Sequence, residues 1–367
     1  MKAQNQLKTK QKNKSLVLKL LLTGSSLSRA CLARETGLTK MTITNIVGEL
    51  ISDGFIRESG TSDTSVGRKP ISLEIAEGAR RIIGVYLSRN AVHAFSGDIT
   101  GQIFTHLRSP LKNETNSSIT EKIFGLLDKI IAETDFDKIT GIGISSIGPV
   151  DVSGGRLLSP TNFFQIKNLP LAEMISGRYS LPVYIDNDMN TSALAEKYYG
   201  IGRQLSDFIY VGVSNGVGAG IISGHRLFSG AHGFAGEFGH VCVDAHGAPC
   251  PCGSRGCLEL YSSFPADWER LSTEKRAERL DNMLNYLTPA LIGLINLFDP
   301  QLIVLGHELV RCGSSAELLE TRIKGRTLFS DSSEIPVVLS AFGERTPLHG
   351  ALALVTDKAL GNYSIFD

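Results

Sequence analysis

Apolar positions recur along this chain with two different periods, and the change of period divides it. Up to Asp53 the period is helical: Ser15-Leu-Val-Leu-Lys-Leu-Leu-Leu-Thr23 reads as a helix stopped by Gly24. Ser28 caps a second helix over Arg29–Thr36, with Leu32 and Ala33 facing inward, and Gly37 supplies the turn that lets a third helix cross it. Thr39 caps that third helix. From Lys40 to Asp53 the spacing puts Ile43, Ile46, Val47 and Leu50 on a buried stripe, which leaves Lys40, Met41, Thr42, Thr44 and Asn45 free near the helix start.

Two short β-type runs, Gly54–Ser59 and Ile71–Ile75, then enclose a Ser/Thr/Gly-rich loop over 60–70. Three helices, a glycine turn and a wing predict a winged helix-turn-helix. In that motif the first residues of the last helix reach base edges, so Thr39, Lys40, Thr42, Thr44 and Asn45 are the candidate DNA contacts. Arg68 and Lys69, at the far end of the wing, suit phosphates or a narrow minor groove. A three-helix linker domain with a solvated basic loop is the competing reading.

Beyond the wing the period falls to two. Ile82 to Ile103 reads as three strands joined by tight turns, followed by a helix near 117–133, the buried strand Ile139-Thr-Gly-Ile-Gly-Ile-Ser145, the strand Val183–Asp186 and a helix over 188–199. The pattern then restarts: Phe208–Phe228 is strand, glycine-rich turn and strand, and a helix over 281–298 leads through Asp299-Pro300 to the strand Leu302–Leu305. Two such halves predict a duplicated α/β protein. The expected division is a DNA-binding domain over 1–78, a first α/β lobe over 79–200 and a second over 201–367. A C-terminal helix free to pack back on the first lobe, and ligands in the cleft between lobes, complete the expectation.

Charge sharpens this division. The 367 residues carry no net charge, yet residues 1–70 hold 12 Lys and Arg against 5 Asp and Glu, so the body is acidic. A basic head points to a polyanion partner, since phosphate neutralisation supplies most non-specific nucleic-acid affinity; a solvated basic tail would give the same count. No apolar run approaches the roughly 20 residues of a membrane span, and the N-terminus lacks a secretory pattern, so a cytoplasmic protein without membrane insertion is expected.

The densest chemistry is the stretch His240 to Glu259. Cys250-Pro-Cys252 followed by Gly-Ser-Arg-Gly-Cys257 lets a bending backbone deliver three thiolates, with His240 as the fourth ligand of a tetrahedral zinc. With no vertex left for water, such a zinc is structural. Buried free thiols or a disulfide pair are the alternatives. Cys31, Cys242 and Cys312 lack such company and are expected as small core residues.

Three stretches now in hand resemble the ROK family of repressors, open reading frames and sugar kinases. They are Asp186-Asn187-Asp188-Met-Asn190 through Ala195-Glu196, Gly236-Glu237-Phe238-Gly239-His240, and Cys250-Pro-Cys252-Gly-Ser-Arg-Gly256-Cys257-Leu-Glu259. With Gly148-Pro149 and Ser159-Pro-Thr-Asn162, they carry the similarity over roughly 80–367. The resemblance implies a two-lobed actin-like, hexokinase-like domain after the winged head, which is the layout of the repressor branch that regulates glucose, N-acetylglucosamine and xylose use. It further implies that His240, Cys250, Cys252 and Cys257 bind zinc. A sugar pocket is implied at Asn187, Asp188, Glu237, His240 and Glu259, with Gly148 and Asn162 on the opposing lobe. Such groups suit vicinal hydroxyls, which donate and accept at once. Asp186 and Asp244 have a plainer reading, a helix cap for the first and a solvated carboxylate for the second.

Family kinases place Asp-x-Gly-Gly-Thr in the first hairpin, where glycine amides approach nucleotide phosphates. Here that loop is Tyr86-Leu-Ser88-Arg89-Asn90, without the acid or either glycine, and the adenosine-side Gly-Gly is replaced by Gly306-His307-Glu308. The expectation is therefore a non-enzymatic, sugar-responsive repressor that binds operator DNA as a homodimer or homotetramer. A ROK-type sugar kinase with an appended DNA-binding domain is the alternative, and a zinc-stabilised protein scaffold the third reading.

Overall fold

The first helix outruns the apolar stretch that predicts it. α1 spans Lys2–Thr23 because Lys, Gln and Ala propagate a helix well once Val17, Leu18, Leu21 and Leu22 anchor its end in the core. A short strand, β1 (Leu27–Ser28), precedes α2 (Arg29–Thr36), whose cap Ser28 accepts from Cys31 N at 3.3 Å. Gly37 ends α2 with φ 69°, and Thr39 caps α3 (Lys40–Ser52) by accepting from Thr42 N at 3.1 Å. Ile43, Ile46, Val47 and Leu50 are all buried, as their spacing predicts. β2 (Ile56–Thr61) and β3 (Ile71–Ile75) pair antiparallel, with β1 on the other side of β3.

This computed structural model describes residues 2–24, 27–61, 71–161, 163–328 and 335–366. Its chain forms two units, one from Met1–Leu158, Phe164–Asp186 and Ala351–Asp367, the other from Ser159–Phe163 and Asn187–Gly350. In the first unit, β4 (Arg81–Leu87), β5 (Ala91–Asp98) and β6 (Ile103–Pro110) form a meander, followed by α4 (Asn116–Ala132) and β7 (Ile139–Ser146). A ribbon of β8 (Val150–Asp151) and β9 (Arg156–Leu157), then α5 (Leu171–Tyr179) and β10 (Val183–Asn187), complete the order β10-β7-β4-β5-β6. Ile82, Ile83, Val85, Leu87, Ile142 and Ile144 are buried in this sheet, each contributing about 1.5–3 kcal/mol.

The last helix (Thr346–Asn362) lies against glycines of that sheet. A Cβ on Gly143 would stand 2.0 Å from the Ala351 carbonyl, so only glycine allows this approach. Near its end the Leu360 carbonyl accepts from Ser15 Oγ of α1 at 2.7 Å, and Phe366 meets Phe55 edge-on at 5.6 Å.

The second unit opens on α6 (Asp188–Tyr198), buried along its whole length, and continues with β11 (Phe208–Val213), β12 (Val217–Ser223) and β13 (Arg226–Leu227). After α7 (Glu259–Ser262) comes α8 (Thr273–Phe298), then β14 (Ile303–His307), α9 (Ser315–Ile323), β15 (Val337–Leu339) and α10, the last helix already described. The strand order is β13-β12-β11-β14-β15, with β11, β14 and β15 parallel. α8 starts before the expected 281, at a cap where Ser272 accepts from Lys275 N at 3.4 Å; its first two turns are charged helix formers without an apolar stripe. Val211, Leu284, Leu291, Leu305 and Trp268 belong to the core of this unit.

Candidate functional site

In the head, α3 presents Lys40, Met41, Thr44 and Asn45 to solvent, and Met41 is 70% exposed. Local bonds already engage three of the polar candidates: Thr39 Oγ1 lies 2.8 Å from Thr42 Oγ1, and Thr44 Oγ1 donates to the Lys40 carbonyl at 2.8 Å. Asn45 and Thr42 also line an open groove of ≈ 520 Å³ with Thr9, Lys10 and Asn13 of α1. Glu49 is paired there with Lys10 at 2.7 Å and Lys14 at 2.9 Å, and the Lys10 bond first of all holds its carboxyl below the ordinary range. Arg68 and Lys69 lie outside the described residues.

The second constellation lies wholly in the second unit. Asn187 caps α6, its Oδ1 accepting from Met189 N at 2.9 Å, a role that residue reading had offered to Asp186. Asp188 follows as the first residue of α6, only 5% exposed. Glu237 stands at the solvent edge before a short 3-10 turn, Phe238–His240, and Glu259 opens α7 and accepts from Val217 N at 3.3 Å. Packing on its inner side lifts the Glu237 carboxyl above its ordinary range; the Glu259 and Asp188 carboxylates add to the rise and His240 opposes it. Asp188, His240 and Glu259 therefore each lie within electrostatic reach of Glu237. Of the two residues expected on the opposing lobe, Gly148 belongs to the first unit, in a cis peptide with Pro149, and Asn162 lies outside the described residues.

The cysteine loop is built by short backbone bonds: Cys250 N donates to Ser254 O at 2.8 Å, Gly256 N to Ala248 O at 2.9 Å, and Cys242 bridges Cys257 as an antiparallel pair. These turns gather one donor atom each from His240, Cys250, Cys252 and Cys257 within 4.8 Å of one another. Cys252 and Cys257 Sγ are 3.7 Å apart, as are Cys250 Sγ and His240 Nδ1. A disulfide needs about 2.05 Å. Tetrahedral zinc with bonds of about 2.3 Å to sulfur separates two sulfurs by about 3.8 Å, so the donor set fits a four-coordinate metal. Burial, then the neighbouring Cys250 and Cys252, pushes the metal-free Cys257 thiol up to about 12, a cost that a divalent cation among the sulfurs would reverse. Outside this cluster Cys312 is buried and Cys31 partly so, but Cys242 is exposed, because its backbone and not its side chain serves the loop.

The loop at Ser88 is closed on itself. Ser88 N donates to Ala91 O at 3.0 Å, Ala91 N returns a bond to Ser88 Oγ at 3.2 Å, and Ser88 Oγ donates to Asn90 Oδ1 at 2.9 Å. Two residues near Asp188 were not among the expected site residues, His307 and Tyr210. His307 Nε2 lies 3.5 Å from Asp188 Oδ2, and its Nδ1 is 3.0 Å from the Tyr210 hydroxyl. The only sequence signal was His307 standing where a second glycine is usual. No helix among the described residues is long and apolar enough to cross a membrane.

The ROK family's sequence profile matches residues 83–358. The xylose repressor of Caldicellulosiruptor bescii is 30% identical over 96% of this chain and 97% of its own. Among solved structures, a ROK family transcriptional regulator, described as a homologue of the E. coli MLC protein, superposes with TM-score 0.79 at 25% identity, covering 98% of this chain and 99% of its own. The ROK hexokinase from Thermus thermophilus superposes with TM-score 0.63 at 24% identity, covering 75% of this chain and 97% of its own.

Proposed function

The chain belongs to the ROK family, and we propose that it is a sugar-responsive transcriptional repressor of that family, with residues 1–78 as the operator-binding head and the two α/β lobes as the sensor. The head carries this reading. The hexokinase is matched along nearly its whole length by three quarters of this chain, whereas the regulator is matched along nearly the whole of both. What the kinase lacks is a segment the size of the winged domain.

In this reading Thr39, Lys40, Thr42, Thr44 and Asn45 face base edges and Arg68 and Lys69 the backbone, with a homodimer or homotetramer setting heads at half-site spacing. Asn187, Asp188, Glu237, His240 and Glu259 bind sugar hydroxyls, joined by Gly148 and Asn162. Zinc on His240, Cys250, Cys252 and Cys257 is structural and supplies no chemistry; it holds His240 in one tautomer at the pocket edge. The self-bonded Ser88–Ala91 turn supports a sensor over a kinase, because the Ser88 and Ala91 amides are spent on the hairpin instead of a phosphate. Sugar lowers operator affinity by preferring the conformation that binds DNA poorly, and a few kcal/mol of differential affinity suffices.

The test begins with duplexes selected from a random pool by the full-length protein. D-xylose, D-glucose and N-acetyl-D-glucosamine are then added singly while DNA binding is followed by fluorescence anisotropy. One of them should release the DNA, and the Glu237→Ala, Asp188→Ala double variant should bind DNA but no longer respond. A variant that still responds overturns the pocket; ATP-dependent phosphorylation of the same sugar favours the kinase reading.

A further inference from the structure

β14 ends on a residue whose backbone favours glycine. His307 has φ 59° and ψ −141°, a region side chains rarely occupy, and it is held there while only 5% exposed. Its ring lies against β11, where a Cβ on Gly212 would stand 2.5 Å from Nδ1. Nδ1 is 3.0 Å from the hydroxyl of Tyr210, itself fully buried. Burial raises the Tyr210 phenol above its ordinary range, so it keeps a proton that it can donate to Nδ1. In that arrangement the ring hydrogen sits on Nε2.

Nε2 faces Asp188. The 3.5 Å separation from Oδ2 lacks hydrogen-bond alignment, and Nε2 is a buried side-chain nitrogen with no hydrogen-bond partner. Strained backbone and an unmet buried polar atom at one residue mark a functional position. The chemistry of the pair is specific, because with hydrogen on Nε2 an acceptor-only carboxylate and a donor-only N–H stand side by side. A hydroxyl satisfies both, accepting from one and donating to the other. A phosphoryl oxygen can only accept and meets the Asp188, Glu237 and Glu259 carboxylates, while an ammonium can only donate and leaves Nε2 unmet.

We propose that His307, oriented by Tyr210, is a specificity-determining residue of the sugar pocket, where its Nε2–H and the Asp188 carboxylate together read one hydroxyl of a neutral, unphosphorylated aldose. This rests on the sugar-binding reading of Asp188 and its neighbours. Tyr210 is a positioning residue, acting through the imidazole it orients.

The experiment uses full-length protein and D-xylose, D-glucose and N-acetyl-D-glucosamine as separate probes. Binding is measured by calorimetry, and the imidazole is followed in ¹⁵N-histidine-labelled protein. His307→Gly suits the backbone and should unfold no earlier than the parent on heating. It should bind the preferred aldose about tenfold more weakly, the loss expected for one buried hydrogen bond. His307→Gln, which carries an N–H at similar reach, should recover part of that loss. The His307 resonance, assigned by its absence in His307→Gly, should show hydrogen on Nε2 and move when the aldose binds. Equal aldose binding by parent and His307→Gly overturns the inference alone, as does hydrogen on Nδ1 with a resonance that bound aldose leaves unmoved. A parent protein that binds none of the three overturns the sugar-binding reading and this inference with it.

Discussion

Two buried carboxylates, Glu114 and Glu196, titrate in opposite directions. Burial alone would raise Glu114, but the Lys112 N–H, the Lys122 ammonium and the Ser118 hydroxyl outweigh it and bring the group down to about 2. Glu196 is raised by burial, and its partners, the Ser340 hydroxyl and the N–H groups of Ile201 and Ala341, are all neutral. A lowered pKa means that the stability Glu114 adds is fully present above its ordinary 4.5 and is lost as pH falls toward about 2. Glu114→Gln should therefore cost about 2 kcal/mol at pH 7 and progressively less below 4.5. For Glu196 the sign reverses: the protonated form suits the fold, and stability is lost as pH rises through its folded value. Glu196→Gln should flatten that loss, so its unfolding midpoint should gain on the parent's as pH rises above 4.5; urea unfolding from about pH 2 to about pH 8 checks both variants. The Asp188–His307 contact was unreadable in the sequence, because the two come from different elements and meet only when β14 lies beside β11.

Elements were legible wherever the determining chemistry is local. Ser28 and Thr39 cap α2 and α3 through bonds spanning three residues, and Cys250, Cys252 and Cys257 converge within a single loop. The beginnings of α1 and α8 were not legible, since their opening turns are charged helix formers that carry no apolar period. The cysteine loop has almost no core of its own, with two of its four donor residues exposed, so on the zinc reading the metal supplies most of its order. Chelation should release one zinc per chain, counted by native mass spectrometry, and lower the thermal midpoint by about 5 °C or more. Cys252→Ser should reproduce both effects without chelator; a metal-free protein with an unchanged midpoint would exclude a structural role.

At the scale of the molecule, the uneven charge sets how DNA binding should answer to salt. Of the 12 Lys and Arg in residues 1–70, Lys10, Lys14, Arg29, Arg34 and Arg57 are already paired with carboxylates. Counting all of the other seven as available caps counterion release at about six per head, so log K against log salt should be no steeper than that for each half-site. Anisotropy titrations at several salt concentrations measure the slope, and a steeper one would mean that the head's ion pairs open on DNA. The helix seated on Gly143 carries a different consequence, for the order in which the protein matures. α10 contributes Thr346–Gly350 to one unit and Ala351–Asn362 to the other. Translation therefore delivers the second unit, through Gly350, before Ala351–Asn362, the part of the helix that covers the glycine-floored sheet of the first. The winged head precedes the second unit along the chain, yet the unit that bears it is closed only by residues that follow that second unit.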